Sequence, residues 1–485
     1  MPQTIELSLV SHTNVGKTTL ARTLLGRDVG IVRDEPHVTL TADRHEMVST
    51  PEGDRLALWD TPGFGDSLRL AKRLAQSDNP LGWFLSQVWD RYRDRAFWSS
   101  QQAVRNVRDH ADVVLYLVNA SEDPENAGYV APEMRVLAWT GKPVIVLLNQ
   151  LGRPRPAAEE LADLQRWRSH LAGFRCVRAV LAFDAFARCW VQEMVLFGEL
   201  AKVVPDDKRE AYARLSAQWL RRRREIFEAA LDVLAERLAR AALDREPVAE
   251  GGWTDRLREL GVALGVRREA GDSPKQIAMR ALAERLDKDI LTSSDRLIAL
   301  HGLGGHASAE ILTRLADHYA VRERLSEGKA AALGGVVTGA LAGLKADLAT
   351  GGLTFGAGLL VGGVLGALGA AGLARGYNLV RGADATLVTW TDEVLDELAV
   401  SSLLGYLAVA HYGRGRGDWA PSEYPAHWQD TVAAVYAQQR QAFHHAWSLR
   451  GAADMPEAVE PALRDALAAT ARAVLQRLYE DARIE

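Results

Sequence analysis

Residues 11–19 read "SHTNVGKTT", a Gly-Lys-Thr triplet set between a short alternating stretch and a run with helical spacing. Such a loop turns successive backbone N–H groups inward, and the helix that follows adds the positive end of its dipole. Together they form a cradle for phosphate. Asn14, Val15, Gly16, Lys17 and Thr18 would line it, with Thr19 completing the set. The Lys17 ammonium is expected to reach the β- and γ-phosphates, and the Thr18 hydroxyl to ligate Mg²⁺. Ser11 stands where such loops usually begin with glycine; if that position needs φ > 0, serine carries a strain that glycine avoids. A second cluster, "DTPGFGD" at residues 60–66, closes an apolar stretch. Asp60 is expected to hold the metal through water. The Gly63 N–H is expected to bond a γ-phosphate, so that its loop orders only in the triphosphate state.

These residues need elements to position them. "TIELSLV" alternates as a strand, and "KTTLARTLLG" reads as a helix ending at Gly26. "RHEMVST" and "DRLALWD" are strands of a hairpin turned by "PEGD". "ADVVLYLVNA" and "KPVIVLLNQLG" are buried strands with the helix "PEMRVLAWTG" between them. Continuous apolar runs alternating with helices predict a sheet covered on both faces. The expected fold is an α/β P-loop domain, a mixed sheet flanked by helices, followed by an all-α region.

With these pieces in place, the first 185 or so residues resemble the Era-like and TrmE-like translation-factor-class GTPases, through "SHTNVGKT" and "DTPGF". The stretches "WDTPGFGDSLRLAKRL", "NPLGWF", "LYLVNASEDP" and "LAFDAFARCW" resemble bacterial GTPases with a large C-terminal domain of unknown function. The resemblance implies GTP or GDP and Mg²⁺ as ligands. It implies a switch threonine in "PHVTLTADR", either Thr39 or Thr41, as a further metal ligand and part of the catalytic group with Lys17, Asn14 and Gly63. It places Asn149 and Gln150 at the base. It also implies that Asn14 holds K⁺ against the phosphates; the residue's other reading is a bond to its own backbone. Two departures stand out. The fourth motif is "NQLG", and Gly152 lacks the carboxylate that accepts hydrogen bonds from guanine, so discrimination of GTP over ATP is expected to be weak unless another acid reads the base. The usual Ser-Ala motif is matched only by "LAF", around Ala182. Phe64 occupies the place of a water-orienting glutamine.

The chain has 485 residues and a net charge of −5, and that acidity argues against a coat of nucleic acid. Two cysteines and no signal-type leader point to a reducing, cytoplasmic location. The reading divides the chain into a GTPase domain at 1–200 with an extended switch region at 66–110, helical segments at 201–328 and 383–485, and a glycine-rich apolar hairpin at 329–382. Within the switch extension, Leu85, Val88, Trp89 and Tyr92 share one helical face, either packed on the C-terminal region or open to a partner. In the hairpin, Gly335, Gly339 and Gly343 form one ladder, and Gly358, Gly362 and Gly366 another. Glycines four apart allow close helix contact in lipid or inside a helical domain. Basic residues at both outer ends favour a hairpin dipping into the inner membrane, with lipid or a membrane protein as partner. The expected function is a membrane-associated GTP switch; the alternatives are a soluble RNA or assembly GTPase and a nucleotide-binding scaffold with little hydrolysis.

Two outcomes are expected. If Asn14 holds K⁺, turnover in KCl exceeds turnover in NaCl at equal ionic strength, and Asn14→Ala abolishes the difference; equal rates in the two salts for the wild type rule the ion out. If the hairpin meets lipid, the full chain fractionates with membranes and a chain lacking 330–374 does not.

Overall fold

The structure is a computed structural model that describes residues 2–29, 42–75, 94–151, 157–185, 189–248, 274–305, 377–381, 386–412, 425–450 and 456–479. Thr39, Thr41, Gly152, the aromatic face at 85–92, and the glycine ladders lie outside those residues.

The N-terminal elements run β1 (Thr4–Ser11), α1 (Lys17–Leu25), β2 (Asp43–Ser49), β3 (Arg55–Asp60), α2 (Ser67–Leu74), α3 (Arg95–Asp109), β4 (Val113–Asn119), α4 (Val130–Trp139), β5 (Val144–Asn149), α5 (Ala157–Leu171), β6 (Val177–Ala182) and α6 (Trp190–Val203). The six strands make one sheet in the order β2-β3-β1-β4-β5-β6. The pairs β3–β1, β1–β4, β4–β5 and β5–β6 are parallel, and β2 alone runs antiparallel, hairpinned to β3. In β5 every residue is buried, and in β4 all but the last, as unbroken apolar runs covered on both faces require. One apolar cluster on one side holds Leu7, Leu20, Leu58, Leu115 and Leu147; another on the far side holds Val10, Phe97, Tyr116, Met134 and Trp167. The strand C-termini of β1, β3 and β5 end at Ser11, Asp60 and Asn149, so the sheet brings the motif residues to one edge.

The long α7 (Arg209–Leu243) follows as one helix of 35 residues, about 52 Å at 1.5 Å per residue. Its first half buries Tyr212, Leu215 and Trp219 in the GTPase-side core, with Phe197 stacked on Trp219 at 4.5 Å. Its second half buries Phe227, Leu231, Leu234 and Leu238 in a separate core. The arginine run 221–224 lies in this helix. Arg223 binds the buried carboxylate of Glu193 at 2.9 and 3.1 Å and lies over Trp219.

The second core is built by α8 (Pro274–Leu300), α9 (Asp392–Ala410), α10 (Ala426–Leu449) and α11 (Val459–Leu478) around the C-terminal half of α7. Within it Asp396 accepts hydrogen bonds from Tyr436 Oη at 2.6 Å, Trp447 Nε1 at 3.0 Å and Arg440 Nε at 3.1 Å, and meets His444 Nε2 at 3.1 Å. Burial pushes its carboxyl upward, but those donors outweigh it and hold the group below the usual carboxylate range. The region is largely helical, as expected, but not wholly so. β7 (Glu246–Pro247), β8 (Tyr377–Arg381) and β9 (Thr386–Trp390) form a small antiparallel sheet in the order β7-β9-β8. The period-2 stretch "TLVTW" carried that sheet, and the helical composition around it hid the pattern. No helix among the described residues is long and apolar enough to cross a membrane.

Candidate functional site

β1 delivers the chain into the loop that ends at Gly16, which sits in the left-handed region at φ 90 and precedes α1. A Cβ added there would stand 2.9 Å from Asn149 Nδ2, so glycine is needed for both conformation and room. Asn14 is also left-handed, at φ 64, a conformation asparagine tolerates better than most residues. It is exposed and makes no side-chain hydrogen bond to another described residue. Ser11 belongs to the strand and carries no positive φ, so the strain expected from the missing glycine does not arise. Its hydroxyl instead accepts from Lys17 Nζ at 2.9 Å.

Lys17 is buried, and desolvation lowers its pKa to about 8, against the opposing pull of Asp60 and Glu133. Asp60 is buried beside it. Desolvation raises its carboxyl, while the Thr18 hydrogen bond and the Lys17 charge lower it. Thr18 Oγ1 donates to Asp60 Oδ2 at 2.6 Å, and Asp60 Oδ1 is buried with no hydrogen-bond partner among the described residues. An orphaned carboxylate oxygen next to a hydroxyl is a hard-oxygen donor set that suits Mg²⁺.

The Gly63 loop folds back onto this group. Phe64 N–H donates to Ser11 O at 2.9 Å and Thr13 N–H to Phe64 O at 3.2 Å. A Cβ at Gly63 would lie 3.0 Å from both Lys17 Nζ and Thr13 Cα. The Phe64 side chain is fully buried in the α4-side core, so it faces away from the loop.

Asn149 is fully buried at the end of β5. Its Nδ2 donates to Val15 O at 2.6 Å and its Oδ1 accepts from Ala185 N–H at 2.8 Å, which ties the phosphate loop to the segment after β6. Gln150 follows in the left-handed region at φ 59. The segment that closes on Asn149 is Asp184–Ala185, not the stretch around Ala182, which is still in strand β6. Asp184 is 4% exposed and its Oδ2 accepts the Leu151 N–H at 2.8 Å. Thr23 of α1 donates to Ala185 O at 3.0 Å and holds the same segment against the helix.

Two features were missed from the sequence. One is Asp184, visible only as a carboxylate after an apolar strand. The other is fully buried Glu133 in α4, which binds His12 Nδ1 at 2.8 Å, Tyr116 Oη at 2.6 Å and the Ser67 hydroxyl. It joins the phosphate loop, β4 and the start of α2. A lone acid on an otherwise apolar helix face was its trace in the sequence. His301, beside "GLGG", is a buried side chain whose pKa desolvation lowers to about 4; among the described residues no His, Cys, Asp and Glu group could hold a metal ion.

The fold and this site define a P-loop GTPase domain. Residues 6–150 match a family described as a 50S ribosome-binding GTPase. Residues 168–469, more than half of the chain, match a domain of unknown function, and the chain belongs to that family, DUF3482. The chain is similar to the GTPase Der of Myxococcus xanthus, 33% identical over 161 residues, covering 32% of this chain and 28% of that protein. It is similar to the GTPase Era of Xanthomonas axonopodis pv. citri, 26% identical over 263 residues, covering 54% of this chain and 74% of that protein. The chain thus spans under a third of the length of the first and about three quarters of the second. A crystal structure of Era with MgGDPNP and a segment of 16S ribosomal RNA aligns at 19% identity with a TM-score of 0.32, covering 42% of this chain and 58% of that one.

The depressed Lys17 pKa predicts a pH dependence for the nucleotide-free protein. Below about 8 the folded and unfolded chains both carry the proton, and the burial penalty is present in full. Between that value and an unfolded pKa of about 10.4 the unfolded chain binds more protons, so stability rises with pH. Urea midpoints measured from pH 7 to 10 are expected to rise more steeply for the wild type than for Lys17→Met; parallel curves would show that Lys17 is not desolvated.

Proposed function

We propose that the protein binds GTP with Mg²⁺ at this site, hydrolyses it, and passes the nucleotide state to its C-terminal helices. The observation that carries the reading is the convergence of Lys17, the Thr18–Asp60 pair with its orphaned oxygen, and the Gly63 loop on one edge of the sheet. Lys17 neutralises charge on the β- and γ-phosphates. Thr18 and Asp60 would hold the metal, which when bound supplies positive charge to the triphosphate oxygens. The amide groups from Asn14 to Thr19 orient the phosphates. Gly63, against Lys17 without room for a side chain, offers its N–H to the terminal phosphate. Positioning and charge are the main requirements of phosphoryl transfer. Thr39 or Thr41 as a further ligand, and Asn14 as a holder of K⁺, remain part of the proposal on the strength of the sequence.

The route outward runs through two polar contacts. Asp54, in the turn between β2 and β3, accepts from Arg214 Nε of α7 at 2.7 Å, and Asp112 accepts from Lys208 Nζ at 2.7 and 2.8 Å. A shift of the β2–β3 hairpin is therefore felt by the helix that enters the second core. The receiver we favour is a bilayer or membrane protein contacted by 329–382, from the glycine ladders. A ribosomal receiver is the second reading, supported by the match of 6–150 to the ribosome-binding GTPase family.

For the base, the reading assigns Asp184 in place of the carboxylate that Gly152 lacks. Guanine presents adjacent N1–H and N2–H donors, and adenine does not. A carboxylate next to the segment that Asn149 holds is the kind of acceptor that such an edge requires. Hydrogen bonds to a charged group contribute about 1.5–3 kcal/mol each, so GTP should be preferred over ATP by roughly tenfold to a hundredfold per bond. Asp184→Asn keeps an acceptor for Leu151 and replaces the other oxygen by a donor. Titration with fluorescent nucleotides is expected to show the variant losing that preference and gaining affinity for XTP, whose 2-oxo group accepts. Undiminished GTP selectivity in the variant would remove Asp184 from the base site.

A further inference from the structure

At the other end of the sheet from the nucleotide edge, a hollow of about 830 Å³ opens beside the starts of β5 and β6 and the junction of α6 with α7. β5 is six residues long, so the two ends stand about 20 Å apart. Six cations line the hollow: Arg135, Lys142, Arg175, Arg178, Lys202 and Arg209. A single carboxylate, Asp206, lines it with them. Lys202 pairs with Glu199 at 2.6 Å and Arg209 with Asp206 at 2.6 Å. Arg135, Lys142, Arg175 and Arg178 have no ion-pair partner among the described residues. In a chain of net charge −5, four uncompensated cations converging on one concavity from α4, the loop after it, the loop before β6 and β6 itself are mutually repulsive. Nothing in the folding of this region calls for them, since Arg135, Arg175 and Arg178 are exposed.

We propose that this hollow is a binding site for the phosphate backbone of a nucleic-acid strand, separate from the nucleotide site. Three of the four uncompensated groups are arginines, whose planar guanidinium forks match phosphate oxygens two at a time. Half-buried Phe174 also lines the hollow and offers a ring face on which a base can stack. A bilayer is the poorer fit. The surface is concave, and the exposed large apolar side chains among the described residues, Leu68, Leu161 and Ile277, do not line it, so its lining lacks the apolar face that interfacial binding uses. With no base-edge reader in the lining, recognition is expected to be independent of sequence and sensitive to salt. The net acidity that argued against nucleic acid is a sum over the whole chain and does not describe this face.

The test uses the full chain and a fluorescent 12-nucleotide single-stranded RNA, with anisotropy read between about 50 and 200 mM salt. Four phosphate contacts predict a slope of log K against log salt near −2.8, at about −0.7 per contact on a single strand. Replacing Arg135, Arg175 and Arg178 together by Glu should weaken binding at least tenfold and flatten the slope, with nucleotide affinity at the far edge unchanged. Arg175→Gln with Arg178→Gln is the milder variant, expected to move the same way if the charge reversals impair folding. Cys176 lines the hollow and is half-buried, whereas Cys189, the other cysteine, is buried. Bound RNA should therefore slow modification of a single reactive thiol. Equal RNA affinity for wild type and variants, or bound RNA that leaves Cys176 unprotected, overturns the proposal. So does flotation with phosphatidylserine vesicles that needs the same arginines in a protein that does not bind RNA.

Discussion

An ammonium and a carboxylate taken out of water, Lys17 and Asp60, set the terms for everything around them. Desolvation works against the charged form of each, drawing the lysine down to about 8 and the aspartate up. Partial compensation comes from Ser11, Thr18 and the opposite charge, yet Asp60 Oδ1 has no hydrogen-bond partner among the described residues. A buried acceptor left unpaired costs about 1–3 kcal/mol or more when charged. A phosphate chain would supply negative charge to Lys17 and a hard cation would supply positive charge to Asp60, so one metal–nucleotide complex would answer both groups, as the proposed function requires. The glycines follow from the same constraint, because backbone must approach backbone at Gly16 and Gly63 to close the cradle.

Around that centre the protein ties separate loops together by polar contacts that water cannot easily reach. Glu133 bonds His12 of the phosphate loop, Tyr116 of β4 and Ser67 at the start of α2, all from one buried carboxylate. Asn149 joins Val15 to Ala185 in the same manner. A fully satisfied polar network specifies a single arrangement more sharply than apolar packing does, since displacing any member strands the others. The network links the phosphate loop to α2 and β4, and the Arg214–Asp54 pair joins the β2–β3 turn to α7.

The sequence was most legible where a short-range pattern and a chemical requirement coincided. "VVLYLVN" and "VIVLLN" are unbroken apolar runs that only a strand covered on both faces can use, and "VGKT" ties a left-handed glycine to a helix start. Asp60 and Asn149 close such runs and were placed correctly at the strand ends. What escaped notice depended on contacts between distant segments. Glu133 looks like any helix acid until the fold brings His12 and Tyr116 to it. The serine at position 11 seemed a defect because a motif expects glycine, whereas the backbone there is ordinary strand and the hydroxyl is put to use. The small sheet of β7, β8 and β9 joins segments far apart in the chain, a pairing that local propensity cannot reveal.

The same contrast governs how charge should be read. A net charge is a sum over positions that never meet, and it fixes solubility and long-range attraction better than it fixes any one surface. Many acids among the described residues answer a nearby base: Asp54 with Arg214, Glu193 with Arg223, Glu228 with Arg464 and Arg472, Asp244 with Arg285. Paired charges cancel within a few ångströms and contribute little field beyond them. What a distant anion meets is the residue of that cancellation. Arg135, Lys142, Arg175 and Arg178 stand together without ion-pair partners among the described residues, at the edge of the sheet that carries no nucleotide motif. An acidic protein can therefore present a strongly basic face, and only the folded arrangement of pairs shows where it lies.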